Sequence, residues 1–363
     1  MRRGTRVFVS LTFTLLLLYL FLRGVDFAGA WRETRSAGPL WLAVGLVGSY
    51  LHYLLRAVRW RTLLSPAGKP VSVRVSLSCT AIGFFLSAIL PGRPGEVVRP
   101  VLLGMRTGIS RSFALATVLV ERAFLDPLAI LVLLSAAMIA GRAGFDASPE
   151  SAEMRRSVWA AGGILAAALA AGLALAAWGL ARRQRLLAWL RRPERHSPRR
   201  ARLVDGLERF ADGLGALGRG QVWPAVALGS LATWAAVALG MWGCMRAFHV
   251  DIGYPGAMVL VALAGVGVLL PTPGGVGGFH LAVQVGLTTL YGVSIDRSVP
   301  ATLVTHLLLL LPALTIGAWS SWKQGLDLSS LWRGSLPGSV PELAPEPARA
   351  SGKPARRVSG VTF

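Results

Sequence analysis

Two breaks inside apolar runs constrain this chain more than any other feature. The first, Leu90-Pro91-Gly92-Arg93-Pro94-Gly95-Glu96, follows Phe84-Phe85-Leu86 and leads to Arg99; the second is Pro271-Thr272-Pro273-Gly274-Gly275-Val276-Gly277-Gly278, leading to Phe279 and His280. Around them, 53% of 363 residues are hydrophobic and 15% charged, with a mean hydropathy of +0.56. Several apolar runs reach the roughly 20 residues needed to cross a bilayer. In hydrocarbon every backbone amide needs a partner, so backbone broken by Pro and Gly at membrane depth persists only when buried in protein or facing a watery cavity. Broken segments in corresponding halves point to the binding site of a transporter. Pro91, Gly92, Pro94, Gly95, Pro271 and Pro273 are the expected hinges.

The expected fold is therefore an all-α polytopic membrane protein with about six full spans, near 7–22, 39–55, 113–140, 158–180, 222–248 and 299–322. Two re-entrant hairpins fall near 75–103 and 254–290. Met1 to Arg6 is basic and Val7 to Leu22 apolar, with no small-x-small cleavage site behind it, which reads as an uncleaved first span. The net charge of +21 sits between apolar spans, where arginines act as topology signals and anionic-lipid contacts. No recognition helix or aromatic-basic platform accompanies the charge, so nucleic acid is not an expected partner.

Arg56-Ala57-Val58-Arg59-Trp60-Arg61 reads as a basic, aromatic belt at the cytoplasmic interface. Between 181 and 202, nine arginines face one glutamate, the strongest cytoplasmic marker in the chain. Residues 203–217 read as an interfacial amphipathic helix, and 326–363 as a disordered cytoplasmic tail rich in Pro, Ser, Arg and Gly. With the N-terminus and the 181–221 linker inside, the first hairpin enters from the cytoplasm and the second from outside. The membrane domain, 1–325, then holds inverted repeats at about 75–140 and 254–322, the arrangement that supports alternating access. Spacing agrees: Glu96 precedes Arg122 by 26 residues, His280 precedes His306 by 26, and Pro127 and Pro312 follow closely.

An ionisable side chain near the bilayer centre is costly unless paired or hydrated, which makes each one a functional candidate. Glu96, Arg99, Glu121, Arg122, Asp126, His280 and His306 qualify. In one reading Arg93, Arg99 and Arg122 present planar guanidinium forks to a phosphate in the cleft. In the other, Arg122 pairs with Asp126 one turn along its helix and Glu96 with an arginine, purely to neutralise charge. Gly274, Gly275 and Gly277 lack the Lys-Ser or Lys-Thr of a nucleotide loop, and permit tight turns and close approach of a lipid head group instead. A half-helix starting near Phe279 would point its positive end at that site. His280 and His306 form a candidate proton-sensitive pair, without a third ligand for a metal. His52, His196 and His249 read as interfacial or exposed. Cys79 and Cys244, inside apolar runs without CxxC spacing, read as reduced core residues.

The run Leu90 to Glu96 with Arg99, the Val120-Glu121-Arg122 span, and Pro271 to Gly277 together resemble the flippase-like membrane domain of lysylphosphatidylglycerol synthases and related membrane proteins. The resemblance covers roughly residues 5 to 325. It implies movement of aminoacylated phosphatidylglycerol, or of other lipid-linked molecules, between leaflets. The family pattern has Glu after the second glycine motif and Arg in the final span, where this chain has His280 and His306. The soluble aminoacyl-transfer domain of the bifunctional synthases is not expected in the short tail after Trp322, so lipid synthesis is not expected either.

The expected function is translocation of an anionic phospholipid, aminoacyl-phospholipid or polyprenyl-linked lipid in the bacterial inner membrane, with both termini cytoplasmic. No ATPase motif and no cofactor is implied, the partners are membrane lipids, and a homo-oligomer stays open. The expectation is thus a carrier without enzymatic activity. The rivals are a lipid or glycosyl transferase, or an accessory subunit of one, using Glu96 or Asp126 as general base, and a non-transporting scaffold whose basic linker recruits partners.

Overall fold

The computed structural model describes residues 3–90, 93–140, 145–182, 184–185, 215, 221–270 and 272–326. The hinges Pro91, Gly92 and Pro271, almost all of the arginine-rich linker, the amphipathic stretch expected at 203–217 apart from residue 215, and the tail after Leu326 lie outside these residues. Among those described, every regular element is a helix. Helix α1 is Arg3–Leu22, α2 Phe27–Arg35, α3 Pro39–Leu64, α4 Val73–Ile89, α5 Gly95–Thr107, α6 Arg111–Val120, α7 Asp126–Ile139 and α8 Pro149–Ala181. The second half has α9 Trp223–Ala247, α10 Tyr254–Val268, α11 Gly278–Tyr291, α12 Ile295–Pro312 and α13 Ala318–Lys323.

Five helices are long and apolar enough to cross a membrane: Pro39–Ala67, Arg111–Ile139, Pro149–Gly179, Trp223–Ala247 and Ile295–Lys323. A sixth arises if α1 and α2, bent by 81° at Gly24, count as one. This is an all-α, multi-pass membrane protein. Two of the long helices carry a π-helical turn, Glu121–Leu125 between α6 and α7 and Ala313–Gly317 between α12 and α13. Each turn adjoins a proline, Pro127 after the first and Pro312 before the second, whose missing amide leaves a carbonyl of the preceding turn unbonded. The two breaks separate α4 from α5 and α10 from α11. At 13 to 17 residues, each of these four helices is shorter than a full crossing.

The same order of elements occurs twice, at a constant shift of 184 residues. Pro39 corresponds to Trp223, Arg111 to Ile295 and Ile139 to Lys323 as element ends, and Gly83 to Gly267 inside the hairpins. By the same shift Glu96 falls on His280 and Arg122 on His306. Each repeat is therefore longer than the broken segments suggest, because the preceding helix, α3 or α9, belongs to it. Helices α3 and α9 cross where Gly45 meets Gly240 and Cys244, Gly48 meets Ala236, and Gly229 meets Arg59. Numbers rise on one helix as they fall on the other, so the two helices are antiparallel and the units inverted.

Small residues let the backbones approach at the points that define the hairpins. In the first, Gly95 lies against the Gly83 carbonyl, and in the second Gly278 lies against the carbonyl of Gly267; a Cβ at either position would overlap that carbonyl. The units also embrace each other. Ala81 of α4 packs on Gly317 of the second unit, while its counterpart Gly265 of α10 packs on Ile130 of the first. Gly95→Ala should therefore lower stability by on the order of 1–3 kcal/mol, the usual cost of overpacking, whereas Gly163→Ala on α8, with open space at its Cβ position, should be neutral or slightly stabilising. Thermal unfolding in detergent checks the contrast; equal midpoints for the two variants would contradict the glycine-pinched hairpin.

Candidate functional site

Helix α3 ends in a run of arginines, and the fold turns two of them inward. Arg56 and Arg59 share a face with Trp60, and all three are buried against α6, α7 and α9. Only Arg61 of that run is exposed, so the cytoplasmic belt expected here is instead a buried charge centre. Burying a guanidinium is tolerable only with paired carboxylates, and the π turn supplies them. In an α-helix residues five apart point about 140° away from each other. The wider turn, in which the Asp126 amide donates to the Glu121 carbonyl, brings Glu121 and Asp126 toward the same two arginines.

Asp126 accepts on both oxygens. Arg59 Nη1 and Trp234 Nε1 donate to Oδ1 at 2.8 and 3.0 Å, and Arg56 and Arg122 donate to Oδ2 at 3.1 and 3.0 Å. Glu121, fully buried, takes a bidentate fork from Arg99 at 3.1 and 3.2 Å and a further bond from Arg56 at 3.2 Å. Arg59 Nη2 lies 3.0 Å from the same carboxylate. The Arg99 guanidinium lies flat on Trp60, 3.7 Å from the ring centroid, and Trp60 in turn donates to Thr117. Phe84 sits beneath Arg56 and Arg122 at 5.2 and 5.0 Å. Aromatic faces thus cover the guanidinium surfaces that no carboxylate reaches.

One pair is less sealed. Arg122 Nη2 meets Glu96 Oε1 at 2.8 Å, with side-chain exposures of 29% and 34%. Glu96 stands in the first turn of α5, just past the break, and this bond ties the hairpin tip to the long helix. Beside it lies a narrow gap of about 10 Å³ lined by Gly83, Phe84, Ser87, Gly95, Glu96, Arg99 and Arg122. Glu96 Oε2 is buried without a partner. Arg93, half-buried at a left-handed φ of 53°, immediately precedes this hairpin's second arm. Counting these side chains, Arg56, Arg59, Arg99 and Arg122 face Glu96, Glu121 and Asp126, so the centre holds one more cation than anions.

The second break is built from a different chemistry. Gly274, Gly275 and Gly277 have φ of 60°, 77° and 88°, the left-handed region that suits glycine. His280 Nδ1 accepts from the Gly277 amide at 3.1 Å, closing the first turn of α11, while His306 Nε2 donates to the Gly274 carbonyl at 3.0 Å. The two imidazoles meet edge to face with centroids 4.6 Å apart, and Phe279 stacks on His306. Glu96 with Arg122 and His280 with His306 are therefore equivalent contacts, an ion pair in one unit and a ring pair in the other. The two tips also touch: a Cβ on Gly274 would lie 3.1 Å from the Ala88 carbonyl at the end of α4.

The structure thus gathers Glu96, Arg99, Glu121, Arg122 and Asp126 into one centre and Gly274, Gly275, Gly277, His280 and His306 into a second that abuts it. It adds Arg56, Arg59 and Trp234. His52, read as interfacial or exposed, is buried beside Tyr53. Cys79 and Cys244 are free and buried in the helical core. Removing one member of a sealed buried pair leaves an uncompensated charge, at a cost of about 3–5 kcal/mol. Glu121→Ala should therefore lower the unfolding temperature sharply, while Glu96→Gln, at a half-exposed pair, should cost below about 1 kcal/mol. Thermal scans of the two purified variants test this, and similar losses in both would contradict the division into a sealed and an open part.

Comparison with known proteins agrees with this architecture. The chain is 26% identical over 327 residues to a protein named Glycosyltransferase AglD from Haloferax volcanii, aligning 84% of this chain with 52% of that protein. The chain accordingly spans about half the length of this curated relative. A family profile described as the lysylphosphatidylglycerol synthase TM region matches residues 7–317, from α1 to the second π turn. On that match over nearly all the described helices, the chain belongs to the lysylphosphatidylglycerol synthase transmembrane family.

Proposed function

We propose that this protein moves an anionic phospholipid, an aminoacyl-phospholipid or a polyprenyl-linked lipid between leaflets, without ATP hydrolysis. The observation that carries the reading is the meeting of two broken-helix tips, from inverted units, over a charge centre with one excess cation. A phosphate entering beside Arg122 would compete with Glu96 for the guanidinium, since planar N–H forks suit phosphate oxygens as well as carboxylates. Arg93, next to the break, is placed to join it. Displacing Glu96 frees the first tip from the long helix, and inverted units allow the same motion from the other side. The hairpins are then re-entrant, and the lipid head crosses between their tips.

Glu121 and Asp126 already accept from arginines on both oxygens, which disfavours Asp126 as a free general base and leaves Glu96, with one unpartnered oxygen, as the base an enzyme would need. The basic linker and both termini lie on the cytoplasmic side of a bacterial inner membrane in this reading. A second reading has the membrane body present a lipid-linked sugar acceptor for glycosyl transfer. It rests on the name of the 26%-identical relative.

Leaflet-to-leaflet movement of fluorescent phosphatidylglycerol, phosphatidylcholine and a polyprenyl phosphate in proteoliposomes tests the proposal. Arg122→Ala should slow movement of the anionic lipids by roughly tenfold or more, the rate equivalent of one charge-assisted contact. A disulfide between Ala88→Cys and Gly274→Cys should stop movement until it is reduced. Folded native protein that moves none of these lipids, but supports sugar transfer from membranes to a polyprenyl carrier, would reject translocation in favour of the second reading.

A further inference from the structure

Away from the charge centre, helices α7 and α8 leave an open furrow between them. Its apolar part, about 240 Å³, is lined by Leu131, Leu134 and Met138 on one side and by Trp159, Gly162 and Gly163 on the other. Two successive glycines on α8 make the groove: a Cβ on Gly163 would meet nothing within 4 Å. Past Met138 and Trp159, which line both parts, the furrow widens into a hollow of about 550 Å³ lined also by Phe145, Arg155 and Arg156. Among the described residues no carboxylate lines that hollow. Asp146, Glu150 and Glu153 belong to the same stretch of chain, yet none pairs with Arg155 or Arg156 among the described residues. Arg155 is held over the Phe145 ring at 5.4 Å and reaches the Asp146 carbonyl at 3.5 Å. Arg156 is exposed and has no partner among the described residues.

The dimensions suit one class of ligand. From Arg155 to Ala166, the far end of the furrow, α8 rises about 16 Å, which is roughly half of the ~30 Å hydrocarbon thickness. Charge at the mouth, an amphipathic Trp159 that is 47% exposed just inside it, and an apolar floor one leaflet deep describe a headgroup site with an acyl channel. We propose that this furrow binds one anionic diacyl phospholipid, its phosphate on Arg155 and Arg156 and an acyl chain along Gly162 and Gly163. This site is separate from the centre at Arg122 and stands whether or not the protein moves lipid.

Trp159 provides the readout. The full chain is reconstituted in vesicles of phosphatidylcholine doped with brominated phosphatidylglycerol or brominated phosphatidylcholine, and quenching at Trp159 is taken as the difference from Trp159→Phe. The anionic lipid should be preferred by about thirtyfold, as expected for two arginines near a membrane surface. Arg155→Gln with Arg156→Gln should abolish the preference, and the paired Lys variants should retain it. Gly163→Leu, whose Cβ enters open space and whose side chain occupies the channel, should cut quenching by either lipid. Equal quenching by the two lipids, or a preference that survives the double Gln variant, would overturn the proposal. So would a Trp159 shielded from both lipids by a second copy of the chain, detected by cross-linking from that position.

Discussion

Everything near the middle of this protein depends on how Asp126 and Glu121 are desolvated. Neither carboxylate could be sealed between helices unless guanidinium groups arrived from several directions, and they come from α3, α5 and the π turn itself. The cluster therefore acts as a three-way joint. It fixes the pitch of the long helix at its π turn and sets the first hairpin at a defined depth. It also locks α3 to α9 through Arg59 and Trp234. Apolar packing between membrane helices lacks the directional force that water supplies to soluble cores, so a joint of this kind carries much of the specificity of assembly.

Much of this architecture was legible in the residues. Prolines and glycines within apolar runs mark both breaks, and the equal 26-residue separations pair Glu96 with Arg122 and His280 with His306 in the sequence alone. Arg56 and Arg59 escaped because basic residues at the end of an apolar run are, as a rule, interfacial anchors. Their three-residue spacing beside Trp60 would have placed all three on one face, but nothing local tells a buried face from a wet one. The π turn was equally silent, since it depends on a tertiary demand, that Glu121 and Asp126 face the same arginines. Gly83 and Gly267 looked like ordinary residues of apolar helices, and only the close approach of Gly95 and Gly278 shows what they permit.

The two units share a backbone plan and differ in chemistry. By the 184-residue correspondence Arg56 falls on Gly240, Arg59 on Gly243, Arg99 on Val283, Glu121 on Thr305 and Asp126 on Leu310. Where the first unit invests in ion pairs, the second invests in contact: Gly240 and Gly243 are the residues that let α9 press against Gly45. The loss of charge and the gain of close packing are thus one change, made at the same positions. His280 and His306 complete the pattern by keeping a polar contact at the tip without formal charge pairing, and by anchoring a glycine turn in place of a carboxylate.

That asymmetry removes a degeneracy. Two identical inverted halves could exchange conformations and return a molecule of the same energy, so neither arrangement would be the ground state. Here the tips are held unequally, by the ion pair of Glu96 with Arg122 in one unit and by two imidazole rings in the other, contacts whose electrostatic costs of separation differ. The backbone plan is two-fold, while the side chains make its two halves unequal.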